Sequence, residues 1–359
     1  MKPSELKTLC GRPLEKEEAE RAVALLLDER ISEEEKAAFL VDVEERGATG
    51  RETAYFAEAF RRRSVPVGLR GYWEGRPILD CCGTGGGGLN LCNISTGTMF
   101  ILAAAGVPVV KHGNRGVSKV SGSGDVLEAM GIPIRLSPAA AERSLRELGM
   151  VYLHAPDYHP AFATLGPLRR RLASQGRKTI FHLLGPLLNP ARPAVQIVGV
   201  FLRRHLPLFE EALLLGGCRR PVVVFGTDAE GRAIGELGVE GEAEIRGLDL
   251  PEAKMVLAEF ARRRGYAGAP LEEALVDSAR ESAVRLRAVF SGREKGLVRG
   301  LLAANAAVGL VAGERLTSLA EALEMVEELL DRGVVEEKVL LAERLASELR
   351  LASASWALS

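Results

Sequence analysis

Residues 80–125, DCCGTGGGGLNLCNISTGTMFILAAAGVPVVKHGNRGVSKVSGSGD, constrain the fold more tightly than any other stretch of the chain. The apolar run ending at Ile78 and Leu79 reads as a strand that empties into a glycine loop. Six of the eight residues 83–90 are glycine or asparagine, so this backbone can take φ > 0 and approach a ligand closely. Asn93, Ser95 and Thr96 then supply N-cap and first-turn chemistry for a helix over 95–105. A strand, a glycine loop and a polar helix start make a nest for anions, because the amides are unpaired and the helix dipole favours negative charge. A second apolar strand, 107–110, leads into Lys111, His112, Asn114 and Arg115, and then into the glycine-serine loop 121–124 with Ser123. Two successive strand ends therefore carry phosphate-seeking groups, the second with explicit positive charge. The pattern predicts a small ligand bearing more than one phosphate. It is not a P-loop, since no Lys-Ser/Thr follows the last glycine. Nor is it the dinucleotide fingerprint, which needs G-x-G-x-x-G and an acid about 20 positions on.

With 359 residues the chain can bury a large core, and one large domain with a smaller satellite is the expectation. Hydrophobic residues make up 47% and the net charge is −1, which leaves no electrostatic footprint for general nucleic-acid binding. The first residues contain no apolar stretch of the kind a signal peptide needs. The longest apolar run, near 99–110, is broken by Gly106 and Pro108 and is too short to span a bilayer. A cytoplasmic protein is the expectation. The five cysteines are odd in number and form no C-x-x-C pair, which argues against a disulfide framework or a zinc site. Cys81, Cys82 and Cys92 flank the glycine loop, where they read best as small buried side chains.

Before the loop, residues 14–63 show apolar positions at three-to-four spacing and predict three helices. Ser32 with Glu35, and Thr49 with Glu52, read as capping boxes. Arg61, Arg62 and Arg63 read as a solvated helix end. Residues 70–78 read as a linker. Beyond it, apolar strands at 132–134, 151–153, 196–202 and 221–225 alternate with helical segments, including one over 203–215. Such alternation predicts a mostly parallel sheet flanked by helices, with ligand loops at the carboxyl ends of the strands. The fold class expected is thus α/β: a small all-helical N-terminal domain followed by a larger α/β domain.

In this order GTGG, NIST, KHGNR and SGSGD resemble the anthranilate phosphoribosyltransferase family, as do YHPAFATLGPLRRRL from Tyr158, TIFHLLGPLLNPA from Thr179 and the NAA segment at Asn305. The resemblance covers most of the chain. It implies transfer of phosphoribose from phosphoribosyl pyrophosphate to the amine of anthranilate, with magnesium as cofactor and a homodimer as the assembly. It also implies a helical domain over 1–70, completed by a helical insertion near 166–188, and a large domain over 71–165 and 189–359.

Residue by residue, the resemblance gives Gly83, Thr84, Gly85, Gly86 and Gly87 to the pyrophosphate loop and Asn93, Ser95 and Thr96 to the helix start. Lys111, Asn114, Arg115 and Ser123 fall on positions that wrap the ribose phosphate. Arg169 matches an arginine for the anthranilate carboxylate, a task suited to a planar, permanently charged fork. Gly83 and Asn114 would complete that pocket. His112 is open between core packing and facing the acceptor, and Tyr158 and His159 are equally open. Arg170 and Arg171 make a run with Arg169, so any of the three can be solvated. The chain also departs from the family. Gly87 stands where an aspartate is usual, Leu91 replaces a small hydroxyl residue, and His182 replaces an asparagine. The adjacent Asp-Glu metal motif is read here as Asp228 and Glu230 in GTDAEG, joined by Ser95. Those two acids read equally as turn residues.

Overall fold

The computed structural model describes residues 5–85, 87–116, 120–354 and 356. Three helices lead the chain: α1 (Lys16–Leu27), α2 (Glu33–Arg46) and α3 (Gly50–Arg61). Two of them start on hydroxyl caps. Ser32 Oγ accepts from the Glu35 N–H at 3.3 Å, and Thr49 Oγ1 accepts from the Glu52 N–H at 3.1 Å. The return half of the second box does not form, because the Glu52 side chain is fully buried elsewhere. Its carboxylate accepts from the Leu14 N–H at 3.1 Å and from Arg46 Nη1 at 2.7 Å. A buried carboxylate needs a cation more than it needs one backbone amide. Arg61 also departs from expectation. It is largely buried and donates to the Gly216 carbonyl at 2.8 Å, so it joins α3 to the helix His205–Leu215 instead of ending in solvent.

The apolar faces of these helices, with Val23, Leu26, Phe39, Phe56 and Phe60, share one core with Leu168, Leu172, Phe181 and Leu184. Those last four come from the helices Gly166–Ser174 and Phe181–Leu184, more than a hundred residues further on. Residues 70–78 are not a plain linker. They form an antiparallel ribbon of β1 (Tyr72–Trp73) and β2 (Arg76–Pro77), turned by Glu74 and Gly75 at φ 48° and 78°. A two-residue left-handed turn matches the twist of paired strands, which is why Gly75 suits this place.

The main sheet has six strands: β3 (Leu79–Gly83), β4 (Val109–Gly113), β5 (Met150–His154), β6 (Val195–Gly199), β7 (Arg220–Gly226) and β8 (Ala243–Arg246). Their order is β5-β4-β3-β6-β7-β8, parallel throughout except for β8, which runs antiparallel along β7. Helices α4 (Ile94–Ala104), α5 (Ser123–Ala129) and α6 (Pro138–Leu148) connect the first half. The chain is an α/β protein with a helical N-terminal bundle. Helix α4 is buried around almost its whole circumference, packed with the apolar helix Leu297–Ala312 in the largest core. No described helix is long and apolar enough to cross a membrane.

Several local expectations shift. The strand expected at 107–110 begins at Val109, because Pro108 has no N–H to donate, and it runs on through Lys111 and His112. Alternation along a strand therefore sends these two side chains in opposite directions. Residues 132–134 form no strand. Pro133 removes a ladder donor, although Ile132 and Ile134 still pack into the core. The edge strand β8 was missed, because EAEIRG is polar and only half-buried and carries no run of apolar residues.

Arg46→Ala should remove the cation that compensates buried Glu52. Losing one partner of a buried pair costs about 3 kcal/mol or more. The check is urea unfolding at neutral pH, followed in the far-ultraviolet circular dichroism signal.

Candidate functional site

Two cavities open over the carboxyl ends of β3 and β4. One, of about 360 Å³, is walled by the glycine loop, the start of α4, the end of β4 and the loop 121–123. The other, of about 450 Å³, lies between the sheet and the residues 155–188 that pack on the helical bundle. Cys82, Gly83, Thr84, His112, Gly113 and Asn114 line both, so the cavities meet at a shared wall.

Lys111 carries the charge of the first cavity. It is 1% exposed, and its ammonium donates to the Cys81 carbonyl and, at 3.2 Å, to Ser95 Oγ. Asp80, one turn of the pleat earlier on β3, is fully buried and supplies nearby negative charge. Burial pushes its carboxyl up to about 6, against the downward pull of Lys111 and of a 2.9 Å bond from Asn189 Nδ2. The Thr84 N–H is held by the Gly199 carbonyl at 2.9 Å. Arg115 reaches the same cavity and is held by Glu128 in a two-pronged pair at 2.9 and 2.7 Å. Asn114 Oδ1 accepts from the Arg115 N–H at 2.7 Å. Ser123 opens α5, and Asp125 of that helix accepts from the N–H groups of Gly116 and Gly122 at 2.7 and 2.8 Å, drawing the loop in.

Asn93 stands at the N-cap position of α4 but does not cap it. Its side chain turns instead to Ser121 and Ser282. Thr96, expected at the ligand, does not line the cavity. It is fully buried, and its hydroxyl has no partner among the described residues. Gly86 lies outside the described residues. Gly85 and Gly87 belong to the loop, and the space beside Gly87 is taken. A Cβ there would fall 1.9 Å from Cε1 of Phe201, and a Cβ on Gly235 would fall 2.4 Å from Cε2 of the same ring. The phenyl ring therefore sits between two glycine positions on two different loops. An aspartate at 87 would require that ring to turn aside.

The acids expected for a metal are placed elsewhere. Asp228 accepts from Arg232 Nε at 2.6 Å and from the N–H groups of Glu230 and Arg232 at 3.1 and 2.8 Å, closing its own turn. Glu230 is exposed, and neither acid lines the first cavity. Glu236 does line it, together with Ile234 and Gly235. Its position is fixed through its neighbour. Asn305 accepts from the Leu237 N–H and donates to the Leu237 carbonyl, both at 3.0 Å, which gives the NAA segment its purpose. The one signal in the sequence was an acid wedged between glycine and leucine in IGEL, flanked by apolar residues.

The second cavity is aromatic and cationic. Arg169 lies 5.5 Å from the ring of Phe162 and 5.1 Å from that of Phe181, and it pairs with no carboxylate among the described residues. Desolvation lowers its pKa, so an anion brought to it is favoured. The arginine run is thus resolved. Arg171 pairs with Glu33 and Glu34 of α2, and Arg170, exposed as Arg169 also is, does not line the cavity. His112 and His159 meet edge to face at 5.1 Å. His159 Nε2 donates to the Leu188 carbonyl at 2.7 Å. The His112 ring donates to the Gly185 carbonyl, while its Nε2 is buried without a partner. Burial, reinforced by His159 and Lys111, pushes the His112 pKa well down, and burial takes that of His159 to about 4. Tyr158 is structural, donating to the Leu136 carbonyl at 2.7 Å. His182 lines the mouth. The thiols of Cys81 and Cys92 are pushed up to about 12 and about 11 by burial, so neither is a nucleophile near neutrality.

The sequence profile of the glycosyl transferase family, a/b domain, matches residues 75–335, and that of the glycosyl transferase family, helical bundle domain, matches residues 6–64. An anthranilate phosphoribosyltransferase of Erythrobacter litoralis is 37% identical over 324 residues, covering 90% of this chain and 94% of its own. That of Aeropyrum pernix is 39% identical over 311 residues, 86% of either chain. The crystal structure of anthranilate phosphoribosyltransferase from Thermus thermophilus superposes with a TM-score of 0.79 at 34% identity, over 94% of this chain and 97% of that one. The Saccharomyces cerevisiae enzyme in complex with PRPP and Mg shares the fold at 22% identity, with a TM-score of 0.79 over 96% and 98% of the two chains.

Gly87→Ala should push Phe201 against the Gly235 loop and weaken pyrophosphate binding about tenfold, a typical overpacking penalty. Phe201→Ala in the same chain should restore most of it, as read by calorimetric titration of pyrophosphate into the single and double variants. A second expectation concerns pH. The unfolded chain takes up protons at His112 and His159 as pH falls below about 6.5, while folded His159 resists protonation until about 4. Stability is therefore fully present above 6.5 and falls as pH drops toward 4. His159→Gln should flatten that slope when urea unfolding is compared at several pH values across the window.

Proposed function

The chain belongs to the anthranilate phosphoribosyltransferase family, and we propose that it catalyses the reaction for which the family is named. Phosphoribosyl pyrophosphate takes the first cavity and anthranilate the second. The observation that carries this reading is the shared wall of Gly83, Thr84 and His112–Asn114, with a buried ammonium on one side and an arginine fork on the other. A donor bearing a phosphate and a pyrophosphate, and a carboxylate-bearing aromatic ring, fit those two ends.

In the transfer, the bond from ribose C1 to the pyrophosphate oxygen breaks and the anthranilate nitrogen bonds to C1, so positive charge develops on the sugar and negative charge on the leaving group. Lys111 and the loop amides stabilise the leaving charge where it forms, while Arg115 and Ser123 hold the ribose phosphate. Arg169 takes the carboxylate in a two-pronged bond, and Phe162 and Phe181 flank the ring. That fixes the amine at the shared wall, which converts a bimolecular encounter into an oriented one. His112 is neutral and lines both cavities, but its Nε2 is enclosed, so it would accept the amine proton only after the ring turns.

Magnesium fits the first cavity through Ser95 and Glu236, two hard oxygen ligands, with the donor's phosphate oxygens as the remainder. When bound it would neutralise charge on the pyrophosphate. Asp228 and Glu230 do not line the cavity and are not part of this set. The family resemblance also supports a homodimer in the cytoplasm and a place in tryptophan biosynthesis.

Calorimetric titration of phosphoribosyl pyrophosphate with and without magnesium, followed by loss of anthranilate fluorescence, tests the reading. A chain that binds no donor overturns it. Lys111→Ala and Arg169→Ala should differ in kind. The first should raise the donor KM and the second the anthranilate KM, each by about 10- to 100-fold for a lost charged hydrogen bond, with the other substrate little affected. Equal loss of donor affinity in both variants would remove Arg169 from the acceptor site.

A further inference from the structure

We infer that Ser282, on the helix Ala279–Phe290, is a positioning residue for the donor, holding the Asn93 amide in the orientation that meets a phosphate. The inference rests on the proposed transferase reading. Ser282 is fully buried and 189 residues from Asn93 in sequence, yet the two residues grip each other twice. The Asn93 N–H donates to Ser282 Oγ at 3.0 Å, and Ser282 Oγ–H donates to Asn93 Oδ1 at 2.9 Å. Because that hydroxyl is already accepting from the backbone, its proton is free for Oδ1, which fixes which end of the amide faces it. Ser121 Oγ–H donates to the same Oδ1 at 2.8 Å from the loop on the other side of the cavity.

With Oδ1 taken by two hydroxyls, Nδ2 is the end of the amide not engaged among the described residues. Asn93 lines the donor cavity, so a pair of N–H donors is presented there before any ligand arrives. A free asparagine would have to lose rotamer freedom and choose between its two amide orientations on binding. The clamp has already made that choice, and preorganisation of this kind appears directly in affinity. It also accounts for the absence of a side-chain cap on α4, where the Ile94 and Thr96 N–H groups bond the carbonyls of Cys92 and Asn93 at 2.6 and 3.0 Å and only the Ser95 N–H is left among the described residues. A capping asparagine would present its oxygen to that amide, which would then be unavailable to an anion. Ser282 Oγ also lies 3.5 Å from Cys92 Sγ, so the residue before Asn93 is seated on the same hydroxyl.

The test is a double-mutant cycle on the full chain, with phosphoribosyl pyrophosphate and magnesium titrated calorimetrically into wild type, Ser282→Ala, Asn93→Ala and the pair. Ser282→Ala should weaken donor binding about tenfold, the effect of a lost buried hydrogen bond. The anthranilate KM should change little, while the melting temperature should fall by a few degrees because the Asn93 N–H loses its buried acceptor. The double variant should lose clearly less than the sum of the two single losses, since the serine acts chiefly through the amide. Ser282→Thr, which keeps the hydroxyl, should recover the affinity. Wild-type affinity in Ser282→Ala would overturn the clamp, as would a loss that adds in full to that of Asn93→Ala, or a parallel loss for donor and acceptor. Absence of donor binding by the wild-type chain would instead overturn the transferase reading itself.

Discussion

A lysine ammonium held almost entirely out of water is the constraint on which the rest depends. Desolvating a cation costs several kcal/mol unless partners compensate. Lys111 finds them only because β3 and β4 lie side by side, which brings the Cys81 carbonyl, the Asp80 charge and the Ser95 hydroxyl to one place. The requirement propagates outward. β4 must start after Pro108 and run through Lys111, α4 must begin close enough for Ser95 to reach, and Asn189 and Gln196 must cross from the neighbouring segment to satisfy Asp80. The ammonium is then both a structural group and the waiting counter-charge for an anion.

The sheet order explains where the ligand goes. From β3 the chain builds outward through β4 and β5, then returns to β6 on the other side of β3 and builds outward again. Loops from β3 and β6 therefore diverge at the middle of the sheet, and a crevice opens at their carboxyl ends. Gly83 and Thr84 come from one lip and Phe201 from the other. The helical bundle, through Arg169 and the 181–188 segment, closes the second cavity against the first.

Much of this was legible because it is local. The glycine loop, the KHGN strand end and the serine-glycine loop each announce themselves within a few residues, and the sheet they share brings Gly83, Ser95, Lys111 and Asn114 to one cavity. Arg169 needed the resemblance, since nothing in a run of three arginines says which one meets aromatic rings. What stayed hidden is set by chain path over distance. Asp228 and Glu236 are eight positions apart, and only the turn that Asp228 closes on Arg232 decides which of the two acids reaches the crevice. Thr96 shows the reverse error, since one residue along a helix rotates a hydroxyl from the cavity into the core. Ser282 carries no local signature at all, because its partner is contributed by a distant loop.

The phenyl ring of Phe201 has a further consequence. It touches Gly87 with one edge and Gly235 with the other, so the three positions cannot change independently. An acid introduced at either glycine meets the ring, and a smaller residue at 201 leaves both loops without their wedge. A carboxylate at 87 or 235 therefore requires the ring to turn aside or residue 201 to change with it.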